Sequence, residues 1–542
     1  MVLIFEKQTA SEDCEIKKTQ ALRQVDSLAW FWKSSCRNMI VLLCRCAFIS
    51  IAAWKLLPEP ADISHDRAVN TRFLGELGNE FDRSIDSHID NLECIGWRAT
   101  KECSPLGPLF EGKNRASAFL RGFIHNDLPC DQQIPVYWEG SGYCEMKTRA
   151  GQVVKVFQKG CREGSHRPEQ LKAYFSCHMA ASFLKYKNRM MSYEPDEPIT
   201  VSDHAVPSRG IVMQVYGRIL PSVYSLVKVL REVHGCKLPI EFWSLSGEVT
   251  ESDPVVQQLL AETNTALRII SDASITSYMS KPYSIVYSHF DQVLWLDSDN
   301  FPFHDPSFLF ETVEFQQNGA IFWKDFWRPQ MNDFFLTKSS LAWELFDIPP
   351  DSPIREEMEM EAGQLVIDRR RSRKALNALL FLTITFKEII GPMDLLLGDK
   401  DLFRFAFHTT NTPFHYMEKP PGFAGISTWS FFSSHTVCGQ TMMQPDPVGN
   451  PLFFHRNLAK LKDRKSLERV WEKGMRFIGN SDAQYHVDGW PSFSRSACYA
   501  PTDPAYFEEL DFGIGSNVSQ FESKILFYAG EAVSMLEEEN PK

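Results

Sequence analysis

A chain of 542 residues with 44% hydrophobic and 13% aromatic content can hold one large catalytic domain and a smaller module, with ample material for packed cores. Its formal net charge of −12 excludes broad nucleic-acid binding, which needs a basic face. The densest basic run, Arg369-Arg370-Arg371, reads as a solvated turn.

The first expected element is a membrane anchor. Residues 39–57 are largely apolar, and nineteen helical residues span about 28 Å, close to the hydrocarbon thickness of a bilayer. Arg45 near the middle costs about 2–3 kcal/mol of insertion. Lys55 can snorkel from the end, and Trp54 suits the interface. Arg23, Lys33 and Arg37 precede the segment, while the nearest basic residues after it are Arg67 and Arg72. That bias places residues 1–38 as a cytoplasmic tail. A cleaved signal peptide fits poorly behind so long a leader. The alternative is a buried helix of a soluble protein.

Residues 58–205 read as a stem and accessory region. Pro58 and Pro60 open a polar, acidic stretch, and a Gly-rich patch over Trp138–Tyr143 and a helical stretch near Glu169–Tyr186 follow. Residues 195–207 look like a linker. Four of the 13 cysteines lie in the first 50 residues, and nine run from Cys94 to Cys498. None forms a Cys-x-x-Cys pair, which argues against a zinc ribbon. In an oxidising lumen some of the nine pair and at least one stays free.

From residue 206 to 505 the pattern is α/β. Gly210–Tyr216 reads as a strand ending at Gly217, and Leu220–His234 as a helix stopped by Gly235. Ile240–Ser244 is the next strand, and Asp253–Glu262 a helix with Pro254 in its first turn. This alternation implies a mostly parallel sheet with crossover helices. Residues 506–542 are set apart as a C-terminal extension.

The next strand carries the most chemistry. Val293-Leu-Trp-Leu296 runs straight into Asp297-Ser-Asp299. Four consecutive apolar residues suit a strand covered on both faces, and the carboxyl edge of an open α/β sheet is where ligands bind. Two carboxylates one residue apart can hold a hard divalent cation that also binds a diphosphate. They can equally cap a strand-end turn. A phosphatase of the haloacid dehalogenase type also places Asp-x-Asp after an apolar strand. Here, however, Asn300 and Phe301 follow the pair, and about 80 residues of strand and helix precede it.

Four blocks in fixed order resemble the fungal-type Golgi α-mannosyltransferases, family 71 of the glycosyltransferases, which extend mannan and glycoprotein side chains. They are Arg209–Val212 with Gly235–Glu241, Val293–Asn300, Glu361–Asp368 and Gly398–Phe405. The resemblance covers Gly210 to Lys460, roughly half the chain. It implies a GT-A fold that binds a nucleotide sugar, GDP-mannose as donor, manganese, a mannosylated glycan acceptor and retention of configuration. It also implies a single-pass type II Golgi protein with a lumenal catalytic domain, in company with other Golgi glycosyltransferases. The linkage, α-1,2 or α-1,3, is not readable.

Residue roles follow from the resemblance. Asp299 is the firmer metal ligand, with Asp297 sharing the ion or contacting the ribose, and His455 the third ligand. Arg456 and Lys460 face phosphate, and Gly217 adjoins the donor. One carboxylate of the pair Asp399 and Asp401 approaches the anomeric carbon or an acceptor hydroxyl, although the pair can simply cap the helix at Leu402. Glu361 and Gln364 flank the sugar, Gln364 by hydrogen bonding. Glycogenin-like enzymes carry a Lys sixteen residues before their Asp-x-Asp, and Lys281 stands at that spacing from Asp297. Their late His-x-x-Gly-x-x-Lys is echoed by His455–Lys460 without the Gly and with the Lys one position closer. Phe322–Arg328 is an aromatic cluster suited to a core or a sugar platform, and Asn517-Val-Ser519 is a glycosylation sequon. The other readings are a retaining transferase with another donor, such as UDP-glucose, and a glycan-binding protein of the same fold without activity.

Overall fold

The computed structural model describes residues 89–100, 126–136, 141–160, 173–196, 199–202, 204–328, 336, 340–427, 437–490 and 498–539. The expected tail, anchor and first part of the stem lie outside these residues. Among the described residues no helix is long and apolar enough to cross a membrane.

An antiparallel sheet comes first: β1 (Glu93–Ala99), β2 (Gly142–Lys147) and β3 (Val153–Lys159), in that order. So small a sheet buries little, and two disulfides, Cys94–Cys130 and Cys144–Cys177, cross-link it. The helix read near Glu169–Tyr186 is α1 (Ala180–Ser192), which begins only after Cys177 has bonded to Cys144 and a tight turn over Cys177–Met179 has redirected the chain. The stretch read as a linker is tied down. The buried Asp291 carboxylate accepts from the backbone N–H and hydroxyl of both Ser202 and Ser208 at 2.6–3.0 Å, and pairs with Arg370.

The α/β region follows: β4 (Arg209–Gln214), α2 (Leu220–Lys228), β5 (Ile240–Leu245), α3 (Pro254–Ala261), β6 (Thr265–Ile270), α4 (Ser280–Tyr287) and β7 (Gln292–Leu296). Gly235 has φ +66°, the left-handed conformation that ends the α2 segment, which runs on past Lys228 as a wider π turn. Asp253 caps α3 by accepting from Val255 and Val256 N–H. After β8 (Asn300–Pro302) come β9 (Ala320–Lys324), β10 (Met360–Asp368), α5 (Arg373–Ile384), α6 (Leu402–Thr409) and β11 (His415–Tyr416). The seven-stranded sheet has the order β11-β9-β10-β7-β4-β5-β6, and every strand except β10 runs the same way. It is therefore a mixed sheet with one reversed strand.

The apolar run of β7 is explained by its two faces. Val293 and Trp295 enter the core shared with α4, α5 and α6, and Leu294 and Leu296 enter the core on the α2 and α3 side. A strand packed on both faces needs apolar side chains at every position.

The sequence pattern did not announce a second, wholly antiparallel sheet. Its main path is β8, β14 (Pro451–His455), β13 (Val437–Pro445), β12 (Gly422–Ser427), β15 (Lys473–Phe477) and β18 (Phe507–Asp511). The hairpin of β16 (Val487–Trp490) and β17 (Cys498–Pro501) attaches through β17 to β13, where Cys438 and Cys498 form a disulfide. Residues after 505 thus contribute a strand, and α7 (Asn517–Glu539) packs on α2, with the Ser225 hydroxyl donating to the Ile525 carbonyl at 2.7 Å.

Candidate active site and metal centre

One edge of the mixed sheet collects the carboxylates. Asp297 follows β7 and Asp325 follows β9 at the ends of strands running the same way. Because β10 is reversed, its start brings Glu361 to that same edge. Lys281 lies in the first turn of α4, and Tyr216 follows β4.

The second sheet supplies the missing wall. Asn300, next after Asp299, pairs with His455 in the β8–β14 ladder, and Arg456 N–H donates to the Asp299 carbonyl at 2.8 Å. This backbone contact puts the His455 imidazole beside the Asp pair: Nε2 is 3.3 Å from Asp299 Oδ1. One ligand atom each from Asp297, Asp299 and His455 lie within 4.8 Å of one another. Two carboxylate oxygens and an imidazole nitrogen form a donor set that suits manganese. Bound there, a divalent cation supplies charge stabilisation for a diphosphate leaving group.

Lysines neutralise the same carboxylates. Lys460 is ion-paired to Asp299. Lys281 Nζ lies 3.0 Å from Asp297 Oδ1 and 3.1 Å from Asp399 Oδ2, and donates to the Ala362 carbonyl at 2.8 Å. Burial opposes charge on Lys281, but Asp297, Asp399 and Glu361 outweigh it and keep the ammonium protonated well above the ordinary lysine range. Burial also works against the Asp299 carboxylate, yet Lys460 and His455 hold its pKa well below the usual value. His455 is raised, because Asp299 and Glu361 overcome the burial that disfavours its charge.

The family model described as "Mannosyltransferase putative" matches residues 208–446. Over those residues the chain resembles that family. It is similar to alpha-1,2-mannosyltransferase MNN5 of Saccharomyces cerevisiae, 23% identical over 290 residues that cover 44% of this chain and 49% of that protein. It is also similar to alpha-1,2-mannosyltransferase MNN23 of Candida albicans, 22% identical over 352 residues covering 56% and 57%. The chain thus spans about half the length of the curated relatives it matches. The solved mannosyltransferase Ktr4p from S. cerevisiae, in complex with GDP, is similar at 13% identity and a TM-score of 0.27, covering 43% of this chain and 76% of that one.

The family segment contains Lys281, Asp297, Asp299, Glu361, Gln364, Asp399 and Asp401, and ends before His455, Arg456 and Lys460. These residues do not all face one space. Glu361 does: its Oε1 is 3.5 Å from His455 Nδ1 and accepts from Gly363 N–H at 2.7 Å. Gly217 is exposed one residue after Tyr216, and a Cβ there would meet nothing closer than a carbonyl at 3.6 Å, so packing does not demand a glycine.

Three of the expected site residues are held by partners within the protein. Gln364 is fully buried opposite Leu296 in the β10–β7 ladder, and its Oε1 accepts from Asn300 Nδ2 at 2.6 Å. Through that bond it braces Asn300, the residue after the Asp pair. Arg456 is turned inward because a buried carboxylate claims it: Nη1 donates to Glu522 at 2.9 Å, with further bonds to the Ala459 and Glu468 carbonyls. Its backbone, not its guanidinium, serves the site. Asp401 faces Arg404 at 2.7 Å and accepts from Met360 N–H at 3.1 Å, so it fixes the start of α6 against β10. Asp399 is the member of that pair that reaches Lys281, and burial raises its pKa while Lys281 pulls it down.

Sequence reasoning missed Asp325 and Tyr216. The signal for Asp325 was available: Ala320–Lys324 is an apolar strand ending in a carboxylate, as β7 is. Tyr216 is half-buried beside Asp297, Asp299 and Lys460, and burial raises its phenol. Of the aromatic cluster, Phe322 and Trp323 are core residues.

Proposed function

We propose that this chain is a metal-dependent mannosyltransferase of GT-A type that moves mannose from GDP-mannose to a mannose-containing glycan, with retention of configuration. The observation that carries this reading is the convergence of Asp297, Asp299 and His455 within 4.8 Å at the carboxyl edge of the sheet, inside and just beyond a segment of mannosyltransferase family. The relatives named alpha-1,2-mannosyltransferase support the sugar and favour the α-1,2 linkage.

In this reading Asp297, Asp299 and His455 would hold a divalent cation, which would supply charge stabilisation for a diphosphate leaving group. Lys460 and Lys281 add positive charge at the same edge, and Asn300 and Gln364 keep the Asp-Ser-Asp turn in place. The three disulfides among the described residues support an oxidising compartment, consistent with a lumenal Golgi protein on an N-terminal anchor.

The test is release of GDP from GDP-mannose by purified protein with manganese and a mannoside acceptor, beside UDP-glucose and other donors. Asp299→Ala should lower turnover by about 10²-fold or more, and chelation of the metal should do the same. Equal turnover by wild type and variant, or a preference for another donor, rejects the reading.

A further inference from the structure

Asp325 is a buried carboxylate with no part in the metal centre. Its backbone N–H donates to the Glu359 carbonyl at 2.7 Å, and its Oδ2 is 2.6 Å from Lys400 Nζ, which also pairs with Glu359 at 2.5 Å. This frame fixes the carboxylate at the end of β9. Burial, reinforced by the neighbouring Glu361 and Glu359 carboxylates, pushes its pKa up to about 6 in spite of Lys400.

Aromatic rings gather around it. The Phe326 ring lies 4.5 Å from that of Tyr499, and the half-buried Trp327 ring 6.4 Å from the same tyrosine. Tyr499 stands on β17, and its hydroxyl shares a hydrogen bond with Asn457. Asn457 N–H in turn donates to the His455 carbonyl at 2.8 Å. Asp325 and Glu361 both act on the Tyr499 phenol, and Glu361 also reaches His455. The group is therefore joined to the metal centre through Glu361 on one side and Asn457 on the other. Gln440 lies beside Asn457, its backbone carbonyl accepting from Leu458 N–H, and its buried Oε1 has no hydrogen-bond partner among the described residues.

We propose that this group is the acceptor subsite: Trp327 and Tyr499 pack against the C–H face of a mannose unit, while Asp325 and Asn457 hydrogen-bond its hydroxyls. The inference rests on the transferase reading and adds where the acceptor sits. Aromatic side chains offer a flat apolar face with a polar tip, which matches a pyranose ring. A carboxylate fixed by a lysine is a preorganised acceptor for a hydroxyl. The subsite belongs to the junction of the two sheets, since Asp325 and Trp327 follow the mixed sheet and Tyr499 and Asn457 come with the antiparallel one.

The experiment separates acceptor from donor. For full-length wild type, Trp327→Ala, Trp327→Phe and Asp325→Asn, three quantities are measured: GDP release without acceptor, transfer to α-mannobiose, and calorimetric binding of α-mannobiose without donor. Trp327→Ala should raise the acceptor KM about tenfold, with partial recovery in Trp327→Phe and an unchanged donor KM. Asp325→Asn should lower transfer about 10²-fold, and lower it more than it lowers donor hydrolysis. Equal loss of hydrolysis and transfer, or an unchanged acceptor KM, overturns the subsite. If wild type releases no GDP from any donor, the transferase reading fails alone, and the calorimetry still decides: mannobiose binding unaffected by Trp327→Ala, or absent in wild type, overturns the subsite too.

Discussion

Gly363 shows how closely the candidate site is built. A Cβ on Gly363 would lie 2.7 Å from His455 Nδ1 and Cε1 and 3.0 Å from Glu361 Oε1. The glycine in Ala-Gly-Gln is needed for close approach, as its presence in a strand suggests. What approaches is His455 rather than a sugar. Gly363→Ala should therefore displace the imidazole and raise the manganese concentration for half-maximal activity about tenfold or more, with an unchanged circular dichroism spectrum. An unchanged metal requirement would show that His455 is no ligand. Single residues were the hardest thing to read in advance. Gln364 and Arg456 have the right chemistry for substrate contact, but their direction depends on partners far away in sequence. Asn300 turns one behind the Asp pair and Glu522 turns the other into the core.

The strands and helices of the α/β region were legible because each signal is local. β7 is apolar at every position because both of its faces are covered, and Asp253, Pro254 and Gly235 mark helix ends by their own backbone chemistry. The antiparallel sheet was not. β13 is buried along its whole length yet includes Gln440, Thr441 and Gln444, so it shows neither alternation nor a clean apolar run. The cross-linked N-terminal sheet was equally silent; it shares an apolar core with the α/β region, and one carboxylate there binds its backbone. Glu344, in a short helix over Ala342–Leu345, accepts from Phe157 N–H at 3.0 Å and Gln158 N–H at 2.7 Å, and Phe157 has φ +56°. Burial pushes the Glu344 carboxyl from an ordinary 4.5 up to about 7, although the two N–H groups and Lys187 favour its charge. A raised folded pKa means that its contribution to stability is fully present below about 4.5 and is lost as pH rises through about 7. Glu344→Gln carries no such proton. The Tm of wild type relative to this variant should fall as pH rises from about 5 to 8, and a constant difference rejects the assignment.

The two sheets and the C-terminal helix behave as one object at the site. Arg456 and Glu522 are almost wholly buried, and Glu522 also accepts from Val470 N–H at 2.7 Å and Trp471 N–H at 3.3 Å. Glu522→Ala would strand a buried guanidinium and two backbone donors, at a cost of roughly 3–5 kcal/mol. It should lower the Tm and also weaken donor binding, because Arg456 opens the turn that ends at Lys460. Calorimetric melting with a GDP titration checks both, and an unchanged Tm would contradict the burial argument. A contact between positions 456 and 522 leaves no periodic trace, which is why residues 506–542 read as an extension rather than as a support.

The pairing of β8 with β14 has a consequence in time. During synthesis the two aspartates emerge first, and their histidine follows roughly 150 residues later, about 10–30 s at ordinary elongation rates. Throughout that interval β8 has no β14 to close its edge, and Asp299 has neither His455 nor Lys460. A ribosome that stalled at residue 446 would have made the whole matched segment and both aspartates, but not the histidine that completes the set. The site is thus a record of late folding: only a chain that has delivered His455 can present all three ligands.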